Sequence, residues 1–365
     1  MATAEKTLHV SEFTNEPFLD FSKPDNRKRM EDALKKVKSE FGREYPIWLA
    51  GQKVTTAEKR TSTNPSRPIE IIGVFQHANV DMAKRAVEAA HKYFDTWKKV
   101  PAEDRAKCLF RAAQIVRERK YELNALVCYE VGKSWIEADA DIAETIDFCE
   151  FYGREMLRLA EPQKLTPMRG ERNYLVYIPL GVGVIIPPWN FPCAIMAGLV
   201  VASLVTGNTV VLKPASDSPT IAAQFIDILY EAGIPKEAVN FITGPGGSVG
   251  DTLVQHPKTR YVGFTGSKEV GLRISELAGK AGPGQMWIKR TVLEMGGKDA
   301  IVVDDEADID AAVEGTAQAA FGYQGQKCSA CSRAIVTEKV YDTFVRKLVD
   351  RTKKITLGPS DDPNN

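Results

Sequence analysis

Read from the amino terminus, the chain first shows a polar stretch with apolar positions recurring every three to four residues over 25–41 (DNRKRMEDALKKVKSEF). That spacing predicts an amphipathic helix in an arm packed on the main body. Residues 51–76 are rich in Thr, Ser and Pro with alternating apolar positions, which predicts short strands and turns. Helical periodicity then runs through 80–98, 102–118, 120–131 and 137–161. From 179 the texture changes, and short β-branched runs alternate with helical ones: LGVGVII (180–186), NTVVLKP (208–214), AVNFITG (238–244) and RYVGFTG (260–266), each followed by a helix. Continuously apolar strands joined by helices indicate a parallel sheet covered on both faces, a doubly wound, Rossmann-like α/β domain. After 285 a second α/β series begins: KRTVLEMGG, DAIVVDD, a helix over 308–321, a Gly/Cys-rich turn, RAIVTE, and a helix over 339–354. The longest apolar run, 193–205, is too short to span a bilayer and is bracketed by Pro192 and Gly207, so it reads as a buried helix.

Composition narrows the classes. A length of 365 residues suits about two domains, and 48 basic residues balance 48 acidic ones. A net charge of zero offers no footprint for phosphate backbones, so nucleic acid is not an expected partner, and neither is a membrane. The first residues lack the pattern of a secretory leader. Six cysteines are too dilute for a disulfide scaffold, and Cys328 and Cys331 form the one CxxC, with no second pair to complete a zinc site. No metal is expected, and a reducing, cytoplasmic setting fits best.

Four segments could carry chemistry. GPGGSVG (244–250) lies between a strand and a helix, where Gly246 and Gly250 let backbone amides approach an anion; an ordinary Gly-rich turn fits equally well. FTGS (264–267) repeats the arrangement one strand on, with Thr265, Gly266 and Ser267 at a helix start; N-capping is the plain alternative. PPWNFP (187–192) closes an apolar strand and presents Asn190 as an amide donor on a rigid turn, or as a helix cap. Lys213 ends the next strand. In GQKCSAC (325–331), Cys328 follows a Gly/Gln turn where a helix could begin, beside Lys327, an environment that lowers a thiol pKa. Cys108, Cys128, Cys149 and Cys193 lie in amphipathic or apolar helices and read as small buried hydrophobes. Glu294 emerges from an apolar strand into a Gly-Gly turn, where burial would raise its carboxyl toward a general base; a salt-bridged strand end is the alternative.

PPWNFP, KPAS, GPGGSVG, FTGS, LEMGGK and GQKCSA stand in the order and spacing of the aldehyde dehydrogenase superfamily, which the chain resembles from about residue 50 to its last residue. Within it the likeness is greatest to the 1-pyrroline-5-carboxylate dehydrogenase family, on NEPFLDF, SRPIEIIG, IAETIDFCEFYGREMLR and NYLVYIPLGVGVIIPPWNFP. The resemblance implies that Cys328 is the nucleophile, that Asn190 and the Cys328 backbone N–H hold the oxyanion, and that Glu294 activates the hydrolytic water. It implies Trp189, Lys213, Ser216, Gly246, Gly250, Thr265, Gly266 and Ser267 as cofactor contacts. Ser216 stands where many NAD-using members carry a Glu; a Ser cannot repel a 2′-phosphate, so NAD is expected first and NADP stays open.

For the substrate, the resemblance implies an amino-acid aldehyde, glutamate γ-semialdehyde, oxidised in proline catabolism. Glu144 would meet its α-amino group, Lys327 and Ser329 its carboxylate, and Phe191 its aliphatic part; a solvated helix face is the alternative for Glu144. The implied organisation is an arm (1–45), a cofactor domain (46–285) with an oligomerisation strand near 165–180, and the start of a catalytic domain (286–365). Family chains run well beyond 365 residues, so truncation of that domain is expected, with the activity of the piece alone left open and a homo-oligomer expected at full length. A broad-specificity aldehyde dehydrogenase, a cysteine hydrolase and a non-catalytic module are the competing readings, the hydrolase needing a histidine partner that none of His9, His77, His91 and His256 supplies in these segments.

Overall fold

The computed structural model describes residues 10–363. In chain order its first elements are α1 (Pro24–Ser39), β1 (Arg43–Tyr45), β2 (Ile47–Leu49), β3 (Gln52–Val54), β4 (Lys59–Asn64), β5 (Arg67–Gln76), α2 (Val80–Trp97), α3 (Ala102–Glu118), α4 (Lys120–Val131) and α5 (Trp135–Ala160). The alternating part follows: β6 (Val182–Ile186), α6 (Ala194–Val205), β7 (Thr209–Leu212), α7 (Pro219–Glu231), β8 (Val239–Phe241), α8 (Asp251–Gln255), β9 (Thr259–Thr265), α9 (Lys268–Gly279) and β10 (Arg290–Glu294). The chain continues with β11 (Asp299–Val303), α10 (Ile309–Phe321), β12 (Cys331–Val336) and α11 (Glu338–Thr352).

The main sheet has the order β10-β9-β6-β7-β8-β2-β3, parallel from β10 to β8 and antiparallel where β2 and β3 join. Its inner strands β6, β7 and β8 are buried because both faces are covered. Alternate residues feed different cores: Ile185, Val210, Leu212 and Phe241 join one cluster with α1 and α3 to α7. Val182, Val184, Val211 and Val262 join the other, with α2, α8 and α9. The amphipathic arm docks through Met30, Ala33 and Leu34 of α1, all buried.

Two expectations need adjustment. Arg290–Glu294, placed by the sequence reading at the opening of a second domain, pairs residue for residue with β9 as an edge strand of the cofactor-type sheet. The strand expected near 165–180 is unpaired: 162–180 carry no strand, and Tyr174, Val176 and Ile178 are exposed. A strand exists only against a hydrogen-bonding neighbour, and the single chain offers that segment none.

Candidate active site

The order of strands creates the crevice. From β6 the chain steps outward to β7 and β8, then returns to the other side of β6 as β9. Ligands of open α/β sheets sit outside the carboxyl ends of the strands at such a reversal. The loops there carry Trp189, Asn190 and Phe191 after β6, Lys213 and Ser216 after β7, Gly246 and Gly250 after β8, and Gly266 and Ser267 after β9, whose last residue is Thr265.

Lys213 is buried, and its ammonium meets one distant acceptor, the Pro214 carbonyl at 3.4 Å. Burial lowers its pKa to about 8. Its stem passes the Gly250 turn, where an added Cβ would lie 3.8 Å from Cδ. The helix expected after AVNFITG is a π-helical turn, Gly246–Gly250, running into the five-residue α8. Ser267 caps α9, its hydroxyl accepting from the Val270 N–H at 3.3 Å, as the plain reading had it. Gly266 donates to the Glu294 carbonyl at 3.0 Å, tying β9's exit to β10's. Trp189 and the exposed Ser216 line, with Gln326, a cleft of about 410 Å³.

A second cavity, of about 470 Å³, brings Cys328, Glu294 and Thr265 together beneath apolar walls that include Phe148, Tyr152 and Leu199. Glu294 and Thr265 are register partners on β10 and β9. The Gly-Gly turn after Glu294 explains how Cys328 reaches them: the Gly297 N–H donates to the Cys328 carbonyl at 3.1 Å, and a Cβ on Gly297 would lie 2.7 Å from that same oxygen. Only glycine permits this approach. Two expectations fail here. Glu294 is exposed rather than buried, because β10 is an edge strand with an open face. No helix begins at Cys328 either; the turn leads into β12, because Gly297 and β11 recruit the segment as a strand. Cys328 is the exposed thiol among the six; Cys128, Cys149 and Cys193 are buried and Cys108 partly so, with burial raising all four.

Asn190 donates its amide to the Gln326 carbonyl at 2.6 Å, two residues ahead of Cys328. One of its two N–H donors is therefore spent on the Cys328 loop and one remains. Of the described histidines, His77 bonds Glu58 and His256 lies near Glu88, and none lines the Cys328 cavity.

At the far end, Phe191 stacks on Tyr323 with ring centroids 4.7 Å apart, and the Lys327 ammonium sits 5.5 Å from the Tyr323 centroid. Glu144, on α5, acts electrostatically on the same Tyr323 hydroxyl. Its carboxylate opens to solvent, yet the protein around it, with Asp147, raises its pKa. Ser329 is exposed beside Cys328. Phe191 and Lys327 thus share one ring that sequence reasoning had not singled out.

Three more residues escaped it: Lys133, fully buried; Glu137, which bonds Tyr323 and Gln324; and Gln326. The Ser134-x-x-Glu137 spacing is a legible capping box, and the structure has it. Its second use, on a turn 186 residues away, has no local signal.

A doubly wound sheet whose reversal crevice faces an exposed thiol, a strand-end carboxylate and an asparagine amide defines an aldehyde dehydrogenase, and the chain belongs to the aldehyde dehydrogenase family, whose model matches residues 52–365. Among individual relatives, it is 53% identical over 353 residues to a 1-pyrroline-5-carboxylate dehydrogenase of Geobacillus, covering 96% of this chain and 68% of that protein. The crystal structure of 1-pyrroline-5-carboxylate dehydrogenase from Thermus with bound NAD superposes with a TM-score of 0.95 at 48% identity, over 97% of this chain and 69% of that one. The Mycobacterium tuberculosis Δ-pyrroline-5-carboxylate dehydrogenase bound with NAD and cobalamin gives 0.93 at 28% identity, over 100% of this chain and 69% of that one.

Proposed function

We propose that the chain carries the NAD-dependent oxidation of glutamate γ-semialdehyde, the open form of 1-pyrroline-5-carboxylate, to glutamate, a step of proline catabolism. The observation that carries the reading is the single cavity lined by Cys328, Glu294 and Thr265 at the reversal of the parallel sheet. The relatives' names supply the substrate.

The crevice fits a dinucleotide on its own evidence: a buried ammonium with three donors and one distant acceptor sits at a strand end beside a glycine turn. Lys213, Ser216, Trp189, Gly246, Gly250, Thr265, Gly266 and Ser267 would hold it. When bound, the nicotinamide accepts the hydride. The chain's residues do the rest. The Cys328 thiolate forms a C–S bond to the aldehyde carbon, and the carbonyl oxygen takes the negative charge. The free donor of Asn190 and the Cys328 N–H stabilise that oxygen, an interaction typically worth about 10² to 10³ in rate per donor. Loss of hydride from the carbon leaves a thioester on Cys328. Glu294 takes a proton from water, the hydroxyl oxygen attacks the acyl carbon, and the C–S bond breaks to return the thiolate.

Glu144 and Lys327 supply one anion and one cation for a substrate bearing one of each, with Ser329 beside the carboxylate and Phe191 against the carbon chain. NAD is the expected cofactor, and Ser216 leaves NADP admissible. The exposed apolar run Tyr174–Ile178 supports assembly into a homo-oligomer, and six free thiols suit a reducing cytoplasm.

The test is a single-turnover absorbance measurement at 340 nm with glutamate γ-semialdehyde and NAD, then NADP. Wild type is expected to give a burst and Cys328→Ser none. Equal signals from the two, or no burst from wild type, overturn the proposal for this chain.

A further inference from the structure

The segment before Cys328 is built unusually. Tyr323 (φ 55°, ψ 32°), Gln324 (φ 58°, ψ 27°) and Gly325 (φ 68°) stand in succession in the left-handed region. Ala50 is the one other non-glycine residue there among those described. A left-handed run of this kind persists only where its surroundings fix it, and here they do. The Glu137 carboxylate accepts the Tyr323 backbone N–H on Oε1, and on Oε2 it accepts the Gln324 side-chain amide at 2.6 Å and the Ser134 N–H at 3.2 Å. Lys133, fully buried and without a hydrogen-bond partner, places its ammonium 4.5 Å from the centre of the Tyr323 ring.

The same helix face serves the oxyanion side. One turn beyond Glu137, buried Asp141 accepts the Cys193 and Ala194 N–H groups at 3.2 Å, fixing the start of α6 directly after the Asn190 loop. Asn190 in turn bonds Gln326, immediately after the left-handed turn. The contacts therefore close a ring, from α5 through Glu137 to the nucleophile loop, through Gln326 to Asn190, and through α6 and Asp141 back to α5.

We infer that Glu137 is a positioning residue for Cys328: by holding the left-handed turn from the first turn of α5, it sets the sulfur relative to the Asn190 amide. This rests on the reading of Cys328 as nucleophile. Glu137 touches no reacting atom; its carboxylate acts through the Tyr323 backbone N–H and the Gln324 side-chain amide. Without it, nothing holds the Tyr323 N–H, and the turn relaxes toward right-handed geometry and carries Cys328 with it.

The test compares Glu137→Gln and Glu137→Ala with wild type on the full chain. Peptide mapping after timed iodoacetamide treatment gives the alkylation rate of Cys328 relative to Cys331, an internal reference three residues on. Single-turnover kinetics give the rate of NADH formation and the apparent KM for NAD. The expected result is a changed Cys328-to-Cys331 ratio and a rate lower by roughly 10²-fold in Glu137→Ala, the cost of about an ångström of misplacement. The NAD KM stays unchanged, and Glu137→Gln, which keeps one acceptor for Tyr323, loses less. General unfolding would move both thiols and the KM together. An unchanged thiol ratio with an unchanged rate in both variants overturns the inference, as does a ratio that changes only in step with the melting temperature. NADH formation surviving in Cys328→Ser would instead sink the nucleophile reading itself, so the two failures are distinguishable.

Discussion

The two α/β parts of the chain are built from similar sequence and end in different physical states. Strands β6, β7 and β8 are buried on both faces, and their residues divide between two large cores. Strands β11 and β12 pair only with each other, and most of their residues are exposed; Val303, Val313 and Phe344 are the fully buried members of their cluster. Val302 is 71% exposed although it lies in a run as apolar as β7. Apolar sequence makes a strand, but burial comes from covering layers, and the second part has one helical layer where the first has two. The candidate site lies where the two parts meet, so a firmly packed sheet stands on one side of it and, on the other, the Cys328 turn is held from outside its own strands, by Glu137 on α5 and by Asn190.

Substitutions that probe packing should separate the parts most sharply. Phe225→Ala, in the larger core, should cost about 3–5 kcal/mol, seen as a lowered denaturant midpoint. A loss under about 1 kcal/mol would mean that this core is far looser than its geometry. Next come two glycines of opposite meaning. A Cβ on Gly183 would lie 2.3 Å from Tyr261 Cζ inside the sheet, so Gly183→Ala should destabilise by about 1–3 kcal/mol. Gly297→Ala meets the Cys328 carbonyl instead, and should slow NADH formation while shifting the melting temperature less than Gly183→Ala does. If the ranking of melting shifts is reversed, the site does not depend on that close approach.

Smaller still is a pH effect. Burial holds the Lys213 amine at about 8, so it is charged below that pH and neutral above it. NAD affinity, followed by titration calorimetry, should therefore fall as pH rises past about 8, because a charged donor makes the stronger hydrogen bond. Lys213→Arg should flatten that profile, and a wild-type profile already flat between pH 7 and 9 would remove Lys213 from the cofactor site. Least of all, Val302→Ser should change stability by no more than about 0.5 kcal/mol; a larger loss would show that β11 is covered in solution.

Much of this was legible in the order of residues. Helix Val80–Trp97 matches its periodicity because amphipathic spacing and a local cap, Asn79 accepting from the Met82 N–H, are short-range properties. The site loops could be placed because each closes an apolar strand, and Cys328, Glu294 and Thr265 do share a cavity. What was not legible depends on partners distant in sequence. Glu294 lies exposed because of where β10 falls in the sheet, and no property of LEMGG encodes that. Cys328 precedes a strand because β11 recruits it, and 173–178 carry no strand because no strand among the described residues lies beside them. Tyr323 and Glu137 meet only after the whole fold has closed.

The central claim, that Cys328 carries the acyl group and Glu294 releases it, can be read directly by mass. Glu294→Gln, incubated with glutamate γ-semialdehyde and NAD and then acid-quenched, should retain a glutamyl thioester on the peptide bearing Cys328, while wild type under the same conditions turns over and retains little. An unmodified Cys328 peptide, or the acyl mass on any other cysteine, would contradict the account.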